Sequence, residues 1–108
     1  MNVFIKTTTN NPIMNLEQSE DSYINYSSVE RKENARIFNE TILPELKKLY
    51  KHQLLNANSH HNRFRNGKNT VDYFPMRKRL GHINQGQWFT VDEDEFIMSR
   101  IVFLLNRK

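Results

Sequence analysis

The clearest helix signal in this sequence lies in TVDEDEFIMSRIVFLLNRK, residues 90–108. Thr90 and Glu93 match a capping box, in which two side chains satisfy backbone donors that the first helical turn leaves free. The acids from Asp92 to Glu95 lie where the helix dipole is positive. Apolar residues then occupy nearly the whole circumference. We therefore predict a helix from Val91 to Asn106 that is central and contacted on several sides.

A second helical pattern lies earlier in the chain, over residues 29–57. Ser27 and Glu30 form another capping box. An apolar stripe follows at steps of three to five residues: Ala35, Phe38, Ile42, Leu46, Leu49 and Leu54. Pro44 interrupts the pattern because it lacks a backbone donor, so either the helix kinks or a second helix starts there. Since the stripe keeps its phase across the proline, we predict one kinked helix packed on the C-terminal helix.

Between the two helices, residues 58–88 favour a loop and a short helix. The composition from Asn58 to Asn69 is typical of an exposed loop. Asp72 is placed to cap a short helix that runs to Leu80 and stops at Gly81. The sequence therefore predicts a mainly α fold, a small single-domain helical protein in which a kinked helix packs on a buried C-terminal helix.

The first 28 residues carry little pattern. Residues 3–5 are apolar and allow one short N-terminal strand, which the turn formers after them would end. Three acids follow: Glu17, Glu20 and Asp21. We divide the chain into an acidic N-terminal arm, residues 1–28, and a helical domain, residues 29–108. The arm is either a solvated terminus or a cover for a basic surface elsewhere.

Positive charge is concentrated in residues 58–88. This stretch holds six lysines and arginines and one acid, a balance of +5, whereas the whole chain balances at +4. Aromatic residues lie between the cations, as expected of a surface that neutralises phosphates and stacks on bases. We predict that the nucleic-acid contacts come from Arg63, Phe64, Arg65, Lys68, Tyr73, Arg77, Lys78 and Arg79, with further possible contacts from His60, His61, His82 and Trp88. The alternative is a solvated face whose rings only anchor it to the core.

The charge and the rings together favour RNA as the partner. Loop arginines and stackable rings suit single-stranded or structured RNA, and no helix resembles a reader of the major groove. We expect noncatalytic binding of RNA or of a ribonucleoprotein. Small size and the absence of cysteine also describe phage or prophage accessory proteins that inhibit a host nuclease, such as anti-CRISPR proteins, although no motif supports that expectation.

Two alternatives belong to other functional classes. One is a protein-interaction module that docks on an acidic partner surface, with Trp88 or Phe89 as the dominant contact. The other is a metal-dependent nuclease of the HNH type, whose residue types are supplied by His60, His61, Asn69 and His82. Because the intervening sequence lacks alternating strands and no acidic ligand pairs with His82, we expect no enzyme, no metal and no cofactor.

Composition excludes several further classes. The chain has no cysteine, so disulfides, thiolate nucleophiles and cysteine-ligated zinc are ruled out. The longest apolar run, residues 101–105, is too short to span a bilayer. Residues 1–6 show no secretory signal. From the sequence we expect a soluble cytoplasmic protein, with no prediction of its oligomeric state.

Overall fold

The computed structural model describes residues 24–108, and its main element is a five-stranded antiparallel sheet. The strands are β1 (Lys51–Asn56), β2 (His61–Asn66), β3 (Asn69–Phe74), β4 (Arg79–His82) and β5 (Gln87–Thr90). Each strand pairs with the next one along the chain, so the sheet is a simple meander. The predicted strand at residues 3–5 lies outside the described residues, as does most of the predicted acidic arm.

Three α-helices accompany the sheet in the described part of the chain: α1 (Ser28–Ile37), α2 (Leu43–Leu49) and α3 (Asp94–Leu105). A π-helical turn, Phe38–Ile42, joins α1 to α2. The capping box at the start of α1 is confirmed. The Glu30 amide donates to Ser27 Oγ at 3.1 Å, and the Ser27 amide donates to Glu30 Oε1 at 2.9 Å.

The prediction of one kinked helix over residues 29–57 is wrong in its last part. The helical segment ends at Leu49, Tyr50 is extended with φ −136° and ψ 158°, and β1 follows. Pro44 lies in the first turn of α2, where its missing donor breaks no hydrogen bond. The apolar stripe was misleading because Leu54 lies on β1 and is 52% exposed.

The mainly α prediction is wrong because residues 58–88 contain strands β2, β3 and β4 and the first half of β5. These residues form neither the predicted loop nor the predicted short helix. Gly81 does not stop a helix, since it lies in β4 between Asp72 of β3 and Trp88 of β5. The chain reverses at Gly67, whose φ of 59° suits glycine, and at two residues that tolerate a positive φ less well, His60 and Lys78. The domain is therefore α+β.

The helices pack on one face of the sheet and form the core with it. From the sheet the core takes Phe64, Val71, Tyr73, Leu80 and Phe89, and from the helices it takes Phe38, Ile42, Leu46, Ile97, Ile101, Leu104 and Leu105. The register places these strand residues opposite one another, for example Tyr73 opposite Leu80 and Leu80 opposite Phe89. Because side chains alternate along a strand, the residues between them belong to the other face.

The C-terminal helix differs from its prediction at its start and in its surroundings. It begins at Asp94, because Thr90 belongs to β5, and no side chain makes the predicted capping hydrogen bond. It is covered on one side only, since Phe96 is 45% exposed and Phe103 is 60% exposed. The carbonyl of its last residue, Leu105, accepts hydrogen bonds from the side-chain amides of Asn66 and Asn69 of the sheet. Neither this helix nor any other between residues 24 and 108 is long and apolar enough to cross a membrane.

Candidate nucleic-acid interface

The face of the sheet opposite the helices carries cations and rings, and we call it the open face. By strand register it consists of Lys51, Gln53, His61, Arg63, Arg65, Thr70, Asp72, Phe74, Arg79, Gly81, Trp88 and Thr90. Lys51, Gln53 and Arg65 are exposed, and the other members are half-buried or buried. Asp72 is the one acid among four cations, so this face is positively charged.

Trp88 lies flat across the open face because position 81 is a glycine. A Cβ atom at position 81 would lie 2.7–2.8 Å from three consecutive carbons of the Trp88 six-membered ring. Near-equal distances to consecutive carbons mean that the face of the ring, rather than its edge, covers Gly81. The opposite face of the ring consequently points away from the sheet, as a stacking platform requires.

Three rings form a row across the strands. His61 of β2 stacks on Phe74 of β3, with ring centroids 4.2 Å apart and an angle of 23° between the planes. The Phe74 and Trp88 centroids are 6.0 Å apart with a tilt of 42°. These distances fall in the range of favourable ring contacts. The row gives the open face a continuous apolar strip between its cations.

The Asp72 carboxylate lies on the same face as this row and makes hydrogen bonds to two side chains, Arg63 and His61. Arg63 donates from Nε to Oδ1 at 2.7 Å and from Nη2 to Oδ2 at 2.9 Å. His61 Nε2 lies 2.8 Å from Oδ2, and because an ionised carboxylate only accepts, the imidazole donates this proton. The Asp72 side chain is 4% exposed, and those of His61 and Arg63 are 22% and 25% exposed.

The electrostatics of this cluster keep Asp72 ionised. Burial by itself would raise the pKa of the Asp72 carboxyl, but the hydrogen bonds from Arg63 and His61 and the positive charge of Arg63 outweigh it, and the pKa lies below its ordinary value. The hydrogen bonds to Asp72 in turn raise the pKa of Arg63. Asp72 therefore orients Arg63 and His61 on the open face.

Two concave regions are lined by residues of the open face. The first, of about 430 Å³, is bounded on the open face by Lys51, Gln53, Arg63 and Arg65. The second, which we call the arginine groove, has a volume of about 510 Å³ and adjoins Phe74 and Trp88. Its other lining residues are Arg31, Asn58, Ser59, Met76, Arg77 and Arg79. The open face thus carries two basic regions and a row of three rings.

The predicted contact residues divide between surface and interior. Arg63, Arg65 and Arg79 are on the open face, Arg77 lines the arginine groove, and Lys68 is exposed in the β2–β3 turn. Phe64 and Tyr73, in contrast, are fully buried among the core residues. We leave these two rings out of the candidate interface because a base cannot reach them while the domain is folded.

Lys78 is also a buried side chain, and its contacts are internal. Its Nζ donates at 2.7 Å to the Asp92 carbonyl and at 2.7 Å to Asp94 Oδ1. The lysine thereby connects the β3–β4 loop to the start of α3. We leave it out of the interface as well.

The histidines of the nuclease alternative lie on different sides of the sheet. His82 is buried on the helix-covered face, with Nε2 3.3 Å from Asn69 Oδ1, and burial together with the nearby charge of Arg107 lowers its pKa. His61 is on the open face, and His60 lies in the β1–β2 loop. Between residues 24 and 108, no three histidine or acidic side chains are grouped closely enough to hold a metal ion.

Several residues of the interface were not singled out from the sequence. Arg31, Lys51 and Gln53 fell inside the predicted helix over residues 29–57. Asn58 and Ser59 were read only as loop composition. The usable signal was the alternation in residues 61–66, where histidine and arginine side chains alternate with Asn62, Phe64 and Asn66.

Comparison with known proteins assigns no family to this chain. No family model, no curated protein and no solved structure matches it. The function is therefore argued from the geometry of the open face alone, and the expectation of a phage-encoded nuclease inhibitor receives no support from a relative.

Proposed function

We propose that this protein binds single-stranded RNA along the open face of its sheet, without catalysis. The observation that carries the proposal is the orientation of Trp88, whose ring lies flat over Gly81 with its outer face turned away from the sheet. A base can stack there without any rearrangement of the backbone. Stacking of this kind contributes about 1 to 3 kcal/mol per base.

The cations of the open face supply the second part of the binding energy. Lys51 and Arg65 are exposed, and Arg63 is held at the edge of the ring row by its two hydrogen bonds to Asp72. Cations beside a strip of rings match the alternation of phosphates and bases along a single strand. Because Asp72 fixes the Arg63 guanidinium before RNA arrives, less side-chain entropy is lost on binding.

The shape of the surface favours an unpaired strand over a duplex. Duplex readers insert a helix or a two-stranded ribbon into a groove. Here the interface is the face of a sheet, and its rings can stack only on bases that are not already stacked in a helix. A strand crossing the sheet would place phosphates near Arg63 and Arg65 and bases on Phe74 and Trp88.

Fluorescence anisotropy with an unstructured RNA of about 10 nucleotides tests the proposal directly, since single-strand sites of this type span a comparable length. We expect Trp88→Ala to weaken binding by about 1 to 3 kcal/mol, the contribution of one stacked base. The matched control is Phe103→Ala, which removes an exposed ring from α3, on the other side of the sheet. Duplex RNA of the same sequence should bind more weakly.

Two results would contradict the proposal. One is equal loss of affinity in the two ring variants, which would show that the open face has no special role. The other is recovery of an acidic protein from lysate after ribonuclease treatment, with no RNA bound, which would make the open face a protein-docking surface. In that case Trp88 would remain the candidate dominant contact, since Phe89 is only 7% exposed.

A further inference from the structure

Strand β1 forms an edge of the sheet that lies among exposed leucines. In the described part of the chain β1 pairs only with β2, so its other side presents a row of backbone donors and acceptors. Leu54 and Leu55 of this strand are exposed, as is Leu49, which precedes it at the end of α2. The other edge strand, β5, has four residues, and none of them is exposed. The β1 edge is therefore the one suited to pairing with another strand.

The β2–β3 hairpin shows how the backbone groups of the edge are arranged. Asn66 and Asn69 flank a two-residue turn, so they form a hydrogen-bonded pair. Along an antiparallel strand, successive residues direct their N–H and C=O groups alternately to one neighbour and to the other. Since Asn66 bonds to β3, the backbone groups of Arg65 and of Arg63 are directed to β1.

The residues of β1 opposite these two arginines are Lys51 and Gln53, which therefore bond to β2. His52 and Leu54 consequently direct their N–H and C=O groups away from the sheet. The register shifts between Leu54 and Asn56, and such a bulge ends regular pairing. The regular part of the edge thus offers two donors and two acceptors.

An edge with this spacing is complementary to a second copy of itself. When two copies pair antiparallel with Gln53 opposite Gln53, His52 of each copy lies opposite Leu54 of the other, and all four groups of each edge are satisfied. Lys51 is the one lysine of the strand, and it lies opposite Leu55 of the other copy. The two lysines are thereby kept apart, and exposed leucine side chains of each copy are covered by the other.

We propose that this protein forms a two-fold symmetric dimer through β1, with Gln53 on the two-fold axis. Opposed residues of an antiparallel pair point to the same side of a sheet, so the two open faces lie side by side. The dimer contains one continuous sheet of ten strands, five from each copy. Pairing of β1 with β5 would instead leave a free β1 edge and continue into a chain of copies, whereas two-fold pairing closes.

Sedimentation equilibrium of the full chain over a range of concentrations, without RNA, tests the dimer. We expect the mass to change reversibly from one chain to two as the concentration rises. Leu54→Lys should raise the dissociation constant about tenfold or more, because it adds a cation from each copy to the paired edge. The control is Phe103→Lys, which makes the same change of charge at an exposed ring of α3 and should leave the dissociation constant nearly unaltered.

Oxidation of single-cysteine variants tests the register, since the chain has no cysteine of its own. Opposed residues that do not exchange hydrogen bonds have Cα atoms about 4.5 Å apart, within the range of roughly 4.4 to 6.8 Å for a disulfide. Gln53→Cys should therefore give a disulfide-linked dimer. In the control, Lys51→Cys, the two cysteines would be separated by four residues along the pair, about 13 Å, and should not become linked.

Three results would overturn the inference. The first is the mass of one chain at every concentration, and the second is equal weakening by the two lysine variants. The third is a dimer that persists in Leu54→Lys and in which both cysteine variants become linked to the same extent, which would place the contact elsewhere. Because none of these measurements contains RNA, the proposed function stands or falls separately, by the anisotropy experiment.

Discussion

At the scale of single residues, the contact between Gly81 and Trp88 sets the orientation of the ring that we propose as the main stacking surface. Gly81→Ala would place a methyl group within 3 Å of the indole ring, so the ring must tilt away from the sheet. Because Trp88 is the one tryptophan of the chain, its fluorescence reports this movement alone. We expect a red-shifted emission maximum and a loss of RNA affinity of about 1 to 3 kcal/mol, like that of Trp88→Ala.

A control for this variant is Gly86→Asn. Gly86 has φ of 64°, a conformation that asparagine tolerates, and no atoms lie within 4 Å of the added carbon. Its emission maximum and RNA affinity should match those of the unaltered protein. If Gly81→Ala also matched the unaltered protein in both measurements, the ring would not lie as described.

A second prediction at the scale of single residues concerns Asp72 and the pH dependence of the free energy of unfolding. Its pKa in the folded protein lies below the ordinary value of 3.8. A depressed carboxyl pKa stabilises the fold above 3.8, and this contribution is lost as the pH falls through the folded pKa. Asp72→Asn should thus lower the free energy of unfolding at neutral pH by about 1.5 to 3 kcal/mol, because hydrogen bonds to a charged group are weakened.

Urea unfolding across the acid range measures this difference. The unaltered protein and Asp72→Asn should converge in stability at strongly acid pH, where the carboxyl of the unaltered protein is also neutral. A gap that stayed constant from neutral to strongly acid pH would mean that the asparagine disturbs packing rather than the ionised cluster.

At the scale of elements, Lys78 and Arg65 allow a structural cation to be compared with a proposed binding cation. Lys78→Met should lower the free energy of unfolding by about 1.5 to 3 kcal/mol, since it removes two hydrogen bonds at the start of α3. Its RNA affinity should be nearly unchanged once the variant is folded. Arg65→Met should do the reverse, because Arg65 is exposed on the open face.

Thermal unfolding and anisotropy on the same two samples give the comparison. The opposite result is a loss of RNA affinity in folded Lys78→Met and no loss in Arg65→Met. It would place Lys78 in the RNA interface and exclude Arg65 from it. If the two variants lost equal amounts of stability and of RNA affinity, Lys78 and Arg65 would not differ in role, despite their different positions in the fold.

The elements also show which local signals can be read from sequence. The Ser27 capping box is a signal contained within four residues, and it was predicted correctly. The similar pattern at Thr90 failed because tertiary pairing overrides it: Thr90 lies opposite Arg79 in the sheet, and Lys78 reaches the first turn of α3 instead. A contact between residues so far apart in sequence leaves no local pattern.

Strand β2 was missed for a related reason. Its helix-covered side includes Asn62, which is 1% exposed, and the neighbouring strand buries Asn69. Asparagines at such positions look like loop residues, yet their amides donate to the His60 carbonyl and to the carbonyls of Leu105 and Arg107. These asparagines are therefore part of the buried interior. The alternation of side-chain type with a period of two residues was the sequence pattern that indicated a strand.

At the scale of the whole molecule, the meander separates the residues of one basic stretch onto two faces. Arg63 and Arg65 lie on the open face, while Phe64 between them is in the core. The charge count selected residues 58–88 without reference to secondary structure, because charge does not depend on it. It could not tell which rings were accessible, because that depends on strand register.

Salt dependence tests whether the open face acts as one electrostatic surface. Binding to a single strand weakens with salt, and the slope of log affinity against log salt changes by about 0.7 for each phosphate contact. Substituting glutamine at both Lys51 and Arg65 should therefore lower the slope by about 1.4. Trp88→Ala should weaken binding at every salt concentration and leave the slope unaltered, because stacking releases no counterions.

The control for the double variant at Lys51 and Arg65 removes the same number of positive charges from residues outside the open face. Lys47 and Lys48 are exposed on α2, whose Leu46 lies in the core on the other side of the sheet. Glutamine at both positions should leave the slope nearly as it is, since RNA on the open face does not contact them. A slope that fell equally in both double variants would mean that RNA responds to net charge alone, and the separation of the two faces would then have no part in recognition.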